Sequence, residues 1–523
     1  AQTAPFLSSP YYGEKAINCF FDHEYPNYGQ DNSIVIYTGE RRSNANRDIC
    51  TLHYSCYAGH PAYDYDLEYE PVLAAASGTV EKAEWNSWAY RTGPNSGLGL
   101  YIRLGHGNGY QTYYGHLSAL LVQEGQAVVK GQMIGVSGNT GNSSGAHLHF
   151  EVRHNGTRTD PYGWSGGYTD PWQAASGEAS IFLWSDGQWA GYPLAAPTPY
   201  GSAVVVDDNP NNTGSFKKGR SWGSPVECPP GSCPYWWRVT GIGYGSDMYY
   251  TYVNGYTADY WAKWQPSLSQ AGLYEVQVYI ACNHATTWFA QYHIYSNGSP
   301  YDTYARVDQL GLCNQWISLG YYYFSGGSNH YVRTSDATTE SYSTGRKVGV
   351  DAVRFRRVNV GPFEVEDYRE RIGRTYQGLY MNWEFRNWSG KPGWRGSGAM
   401  QALPKNPHKN INTGYTTASP ELRYRTVFPA SGTYYVWVRA YGENGKEDSV
   451  HAGYDGYGPS SADRISGCGW NSPGWKWCNS TMDGPRATIY VGAGLHTFNL
   501  WMRENGFRAD QVLLTQDPSY TPP

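Results

Sequence analysis

Residues 141–153, GNSSGAHLHFEVR, decide how this chain is read. The run 146–152 is rich in β-formers and predicts a strand. Side chains two apart share one face of a strand, so His147 and His149 project together, while Leu148 and Phe150 turn into a core. Two imidazoles side by side on a β-scaffold suit a metal ligand beside a proton-handling partner. A His-x-His pair alone reads first as two histidines half buried in a sheet. Further ligands therefore have to come from elsewhere in the chain.

The totals narrow the class. A length of 523 residues suggests about three domains. Tyr 49, Trp 21 and Gly 63 are high and charged residues make up only 16%, in short Tyr/Val/Trp/Thr runs broken by Gly, Asn, Ser and Pro. That pattern predicts an all-β chain of sheets and sandwiches. The formal net charge of −5, without a basic block, argues against nucleic acid as a partner. No apolar run is long enough to span a bilayer. The opening AQTAPFLSSP is expected to be a mature N-terminus left by cleavage of a signal peptide. Eight cysteines fall in local pairs, Cys50/Cys56, Cys228/Cys233, Cys282/Cys313 and Cys468/Cys478, with Cys19 left over. Four disulfides and an extracellular compartment are the expectation, with Cys19 as a rival partner for Cys50 or Cys56.

The first third supplies the missing ligands. In GHPAYDYDL, residues 59–67, His60 and Asp64 lie four apart and share one face of an extended segment; Asp66 is on that face too. His60, Asp64 and one strand histidine would make three protein ligands with a fourth position open, the catalytic rather than the structural arrangement of zinc. Residues 113–118, YYGHLS, place His116 at a strand end, whereas His106 in an HGNG turn reads as structural.

The ordered set of His60-x-x-x-Asp64, YGHLS at His116 and SGAHLHFEVR resembles the lysostaphin-like (LytM-type) zinc metallopeptidases, over residues 55–165. Ala62 stands where that family usually has glycine. The resemblance implies His60, Asp64 and His149 as zinc ligands, His116 and His147 as the catalytic pair, and peptide cross-links of bacterial peptidoglycan as substrate. Zinc lowers the pKa of water toward ~7 and polarises a carbonyl. His147 is the first choice for general base, His116 for orienting water or the oxyanion, and the two roles are interchangeable at this level. Glu151 shares the histidine face and reads first as a salt-bridged strand residue. Residues 85–98 and 155–169 are the expected groove walls. FFDHEYP, DPYGW and TDPW look like extensions found in secreted members.

The expected division is 1–195 for the peptidase domain with its extensions, 196–358 for a second domain and 359–523 for a third. The second resembles the golvesin-like domain that accompanies xanthan-lyase-type enzymes, with no ligand cluster apparent. Asp351 there reads as a structural hydrogen-bonding residue, and Trp261, Trp264 and Trp316 as core. The third resembles β-sandwich carbohydrate-binding modules, which implies a calcium site at Glu364, Glu366 and Asp510. Trp470, Trp475 and Trp477, in a Gly/Pro-rich loop beside Cys468/Cys478, are the candidates for stacking on a polysaccharide. The fold class expected is thus an antiparallel-sheet metallopeptidase domain followed by two β-sandwich domains. An extracellular adhesin or structural filament protein that keeps the peptidase fold as a scaffold is the alternative. The intact five-residue site argues against it.

Overall fold

A computed structural model of the chain describes residues 5–24, 33–43, 59–185, 193–209, 216–229, 233–296, 303–387, 391–468 and 474–523. The protein is 46% strand and 4% helix, and its sheets are antiparallel, as the composition predicts. Three of the four expected disulfides, Cys228–Cys233, Cys282–Cys313 and Cys468–Cys478, are formed. Cys50 and Cys56 lie outside the described residues.

The sheet that carries the histidines runs Ile17–Cys19, Tyr63–Tyr65, Leu148–His154, Tyr110–Gly115, Leu100–Gly105, Gly78–Trp85 and Ala127–Val128. Leu148–His154 is central, paired with Tyr63–Tyr65 on one side and Tyr110–Gly115 on the other. Leu148, Phe150 and Val152 are buried in a core with Tyr63, Tyr65, Tyr114 and Trp184. Tyr63, Tyr65 and Tyr114 are buried rings whose hydroxyls are all partnered. Tyr63 donates to Asp160, Tyr65 meets Tyr162 at 3.0 Å, and the Tyr114 oxygen accepts from the Ala75 amide.

The units are fused more closely than the short Pro/Ala-rich stretch at 193–202 suggests. The strand Ala119–Leu120, just after His116, pairs with Met133–Val136 and, on its other edge, with Thr303–Val307 of the second unit. One sheet therefore passes from one unit into the next. Arg91 pairs with buried Asp308 across this junction, and the Asp308 amide donates to Ser118 O. A single strand, Val353–Glu364, pairs first with Gly272–Ile280 and then with Arg508–Thr515, joining the second unit to the third. Leu495 of the third unit donates its amide to Lys130 O of the first. The second unit thus buttresses the segment that presents His116.

The tryptophans of the sandwiches behave mostly as core. Trp261, Trp264, Trp437 and Trp501 are buried, and the half-buried ring of Trp316 carries the Arg354 guanidinium at 4.3 Å. Trp475 and Trp477 do not sit in a loop: Trp475–Cys478 is a strand paired with Gly432–Tyr441. Their indole nitrogens donate to Lys391 O and Pro523 O. Trp470 lies outside the described residues. Among the calcium candidates, Asp510 is paired with Arg439 and accepts from the Arg395 amide. Glu366 accepts from Ser397 and Gly398, and Glu364 from Gln511. One carboxylate oxygen each of Glu364 and Glu366 is buried without a partner.

Candidate metallopeptidase site

The strand register delivers the ligands. Asp64 lies opposite His149 on one neighbour and opposite Cys19 on the other. His149 Nδ1 stands 2.9 Å from Asp64 Oδ1, and His60 Nε2 stands 3.2 Å from the same oxygen and 3.4 Å from His149 Nδ1. A tetrahedral zinc with bonds of about 2.0–2.1 Å holds its ligand atoms about 3.3–3.4 Å apart. Two imidazole nitrogens and one carboxylate oxygen at these separations fit such an ion, and they select Asp64 over Asp66.

Carbonyl oxygens set the histidine tautomers, because a carbonyl only accepts. His60 Nδ1 must donate to Phe20 O at 3.1 Å, which turns Nε2 toward the ligand cluster. His116 Nδ1 donates to Thr140 O at 2.7 Å and His147 Nδ1 to Gly145 O at 2.8 Å. The basic nitrogen of each is therefore Nε2. The His116 ring lies 4.8 Å from that of His147 and 5.4 Å from that of His149. His147 Nε2 is 3.6 Å from Asp64 Oδ1. His116 has a left-handed backbone, φ 61°, rare for a residue with a Cβ and often found at functional sites.

The electrostatics divide the histidines into two kinds. Burial alone would push His60 down, but the Asp64 carboxylate and the Cys19 thiol beside it hold its proton well above the ordinary range. Burial would raise Asp64, yet His60 and His147 keep it well below the ordinary carboxylate value. Burial, followed by repulsion from His147 and His149, drives His116 well down. Burial also lowers His147, against the pull of Asp64. His116 and His147 are thus neutral bases near pH 7.

An open groove of about 530 Å³ exposes the site. Asp64, His116, His147 and His149 line it with Asn86, Leu98, Asn142 and Ser143. Asn86, Gly97 and Leu98 come from 85–98 and Arg158 from 155–169, the two expected walls, and 142–144 with Glu151 and Arg153 complete the lining. Glu151 is held in salt bridges by those two arginines. Neither tryptophan of the first loop lines the groove: Trp85 packs on Trp288 and Trp88 on Phe289. Trp164, in the second stretch, packs on His23 at 4.8 Å. His106 is structural, bonded to Ser77 O and Thr112.

Two glycines bring the wall segments together. Gly99 and Gly141 have φ of +64° and +81°, and a Cβ on either would stand 2.4 Å from the other's amide nitrogen. Gly141→Ala is expected to destabilise the protein by about 2–4 kcal/mol, combining left-handed strain with overpacking. Chemical denaturation of the variant beside the parent measures it.

The N-terminal extension contributes more than its motifs reveal. Cys19, outside the three disulfides and buried, places its sulfur within 4.8 Å of the His60 and Asp64 ligand atoms, as a fourth potential donor. Phe20 O orients His60, as above. The Asp22 carboxylate accepts from the amides of Gly59 and Val35, and the Asp22 amide donates to His60 O. His23 is fully buried between Asp160 at 2.9 Å and Asp170 at 2.8 Å, one from each of the later extension motifs. The only sign of this in the sequence was an acidic residue in each of DPYGW and TDPW.

Residues 58–161, which hold His60, Asp64, His116, His147 and His149, match the model of peptidase family M23. Residues 235–357 match the Golvesin C-terminal domain. The chain is 56% identical over 96 residues to the peptidoglycan DD-endopeptidase ShyA of Vibrio cholerae, covering 18% of this chain and 20% of that protein. It is 41% identical over 106 residues to the DD-carboxypeptidase/endopeptidase Mpg of Neisseria meningitidis, covering 20% and 24%. The lysostaphin catalytic domain of Staphylococcus simulans aligns at 36% identity and a TM-score of 0.17, over 20% of this chain and 76% of that one. The chain spans only about a fifth to a quarter of the length of these curated relatives.

Proposed function

We propose that this chain is an extracellular zinc endopeptidase that hydrolyses peptide cross-links of bacterial peptidoglycan. Residues 1–195 are its catalytic unit, and 196–358 and 359–523 are accessory units that hold it to a glycan or cell surface. The observation that carries this reading is the convergence of His60 Nε2, Asp64 Oδ1 and His149 Nδ1 within 3.4 Å, beside two neutral histidines on the floor of an open groove. The names of the relatives support the substrate class. Three disulfides support the compartment. Among the described residues no helix is long and apolar enough to cross a membrane.

His60, Asp64 and His149 would hold the zinc, which when bound supplies a Lewis acid that acidifies water and polarises the scissile carbonyl. The residues of the chain do the rest. Asn86, Asn142 and Ser143 offer hydrogen bonds to an extended peptide backbone along the groove. His147 Nε2, the nearer base to the ligands, takes the proton of the attacking water. As an imidazolium it then has an Nε2–H to give to the leaving amine. His116 lines the same groove, and its carbonyl-fixed ring presents Nε2 as an acceptor that orients the water before attack.

Incubating the zinc-loaded protein with purified peptidoglycan is expected to release new amino groups, and a zinc chelator is expected to abolish the release. Identifying the new termini names the bond. No release from several wall types, with zinc confirmed in the protein, would refute the proposal.

A further inference from the structure

The middle unit holds a cluster of acids that its sequence did not announce. Asp207 and Asp208 follow the strand Val204–Val206, and Asp351 lies between the strands Lys347–Val350 and Val353–Glu364. One carboxylate oxygen from each lies within 4.8 Å of those of the other two. Asp208 is 0% exposed and neither of its oxygens has a hydrogen-bond partner. Asp351 is 1% exposed, with Oδ1 unpartnered and Oδ2 accepting from the Tyr244 amide. Leaving a buried carboxylate oxygen unmatched is costly unless something absent from the polypeptide satisfies it.

The surroundings are shaped to the cluster. The turn around Tyr244 closes over it with Gly243 at φ +88° and Gly245 at φ +71°. A Cβ on Gly243 would stand 2.5 Å from Asp351 Oδ2 and 2.6 Å from Asp247 O, and one on Gly245 would stand 2.5 Å from Asp207 Oδ2. The nearby cations are engaged: Arg238 pairs with Asp247, and the Lys218 ammonium lies over the Tyr249 ring at 4.0 Å. Burial and mutual repulsion push Asp208 up to about 10 and Asp351 up to about 8, so the chain alone does not hold these charges together.

From this geometry we infer that Asp207, Asp208 and Asp351 form a calcium-binding site that pins the strand Val204–Val206 to the turn over Tyr244. The donors are all oxygen, which selects a hard cation over zinc. Three carboxylates from a flexible set of turns suit the larger, less demanding calcium better than octahedral magnesium. The site lies apart from the histidine cluster and from Glu364, Glu366 and Asp510.

Titrating the full, zinc-loaded chain with calcium chloride tests this, with terbium luminescence as a second probe. The indole of Trp264 donates to Asp351 O and is placed to sensitise terbium emission. Calcium is expected to raise the melting temperature by about 5 °C at 100-fold excess over its dissociation constant. Asp208→Asn and Asp351→Asn are each expected to remove one bound equivalent and the sensitised emission, whereas Glu384→Gln, at a surface ion pair, keeps both. Direct binding to the unmodified protein keeps the test valid if a variant fails to fold. Full calcium stoichiometry in Asp208→Asn, no binding by the parent at millimolar calcium, or tighter binding of magnesium would each overturn the assignment.

Discussion

Replacing His149 by alanine is expected to strip the protein of zinc and to lower peptidoglycan hydrolysis by roughly 10³-fold or more, the scale of losing an essential catalytic group. His149 Nδ1 is one of only two imidazole nitrogens in the cluster, and its removal leaves His60 and Asp64 with an incomplete set. The backbone of His149 still pairs with Asp64 and Gly115, so the sheet itself is retained. His147→Gln is the informative companion. It removes the base without touching the ligands, so zinc is expected to stay bound while kcat collapses. Metal content by mass spectrometry, read beside amino-group release, separates the two. A His149→Ala protein that keeps one zinc per chain would remove His149 from the ligand set.

His23→Leu is expected to destabilise the protein by about 3–5 kcal/mol, because it leaves Asp160 and Asp170 buried without their shared cation. Both carboxylates are otherwise fully engaged, Asp160 by Tyr63 and the Tyr162 amide, Asp170 by Ser180 and the Trp172 amide. Burial opposes the charge on His23, but the two aspartates raise its pKa from 6.5 to about 9. A raised folded-state value means that the stabilisation is complete below about pH 6.5 and is lost as the pH rises through 9. The shift amounts to about 3 kcal/mol. Urea denaturation of the parent between pH 6 and pH 10 is expected to show this decline, and the variant to lack it. A flat profile in the parent would mean that His23 is neutral in the fold. The same substitution frees the segment whose Phe20 carbonyl orients His60, so a 10–100-fold loss of zinc affinity is expected to accompany it.

The extensions flanking the metallopeptidase motifs therefore belong to the site. Residues 17–24 edge the sheet beside Asp64, bring a thiol to within 4.8 Å of His60 and Asp64, and are locked in place by the acids Asp160 and Asp170. The middle unit does likewise from the other side, extending the sheet from Ala119–Leu120 and holding Ser118 O through the Asp308 amide. Attachment by a continuous sheet is stiffer than attachment by a linker. It ties the orientation of the later sheets to that of the sheet carrying the histidines.

What the sequence by itself determined is what local physics controls. The two-residue period of a strand set His147 and His149 on one face with Leu148 and Phe150 on the other. The four-residue spacing of His60 and Asp64 set both on one face, where they meet at 3.2 Å, and the abundance of β-branched and aromatic residues made the chain all-β. The ordered motifs around these residues carried the resemblance that assigned each a role. Only the tertiary structure decided which distant segments meet. His23 finds Asp160 and Asp170, Cys19 finds Asp64, and Asp207 and Asp208 find Asp351 through strand order and register, which no short window encodes. Trp85, which by composition could have gripped a substrate, was claimed instead by Trp288, because burying an aromatic face against a neighbouring unit releases more water than leaving it in an open groove.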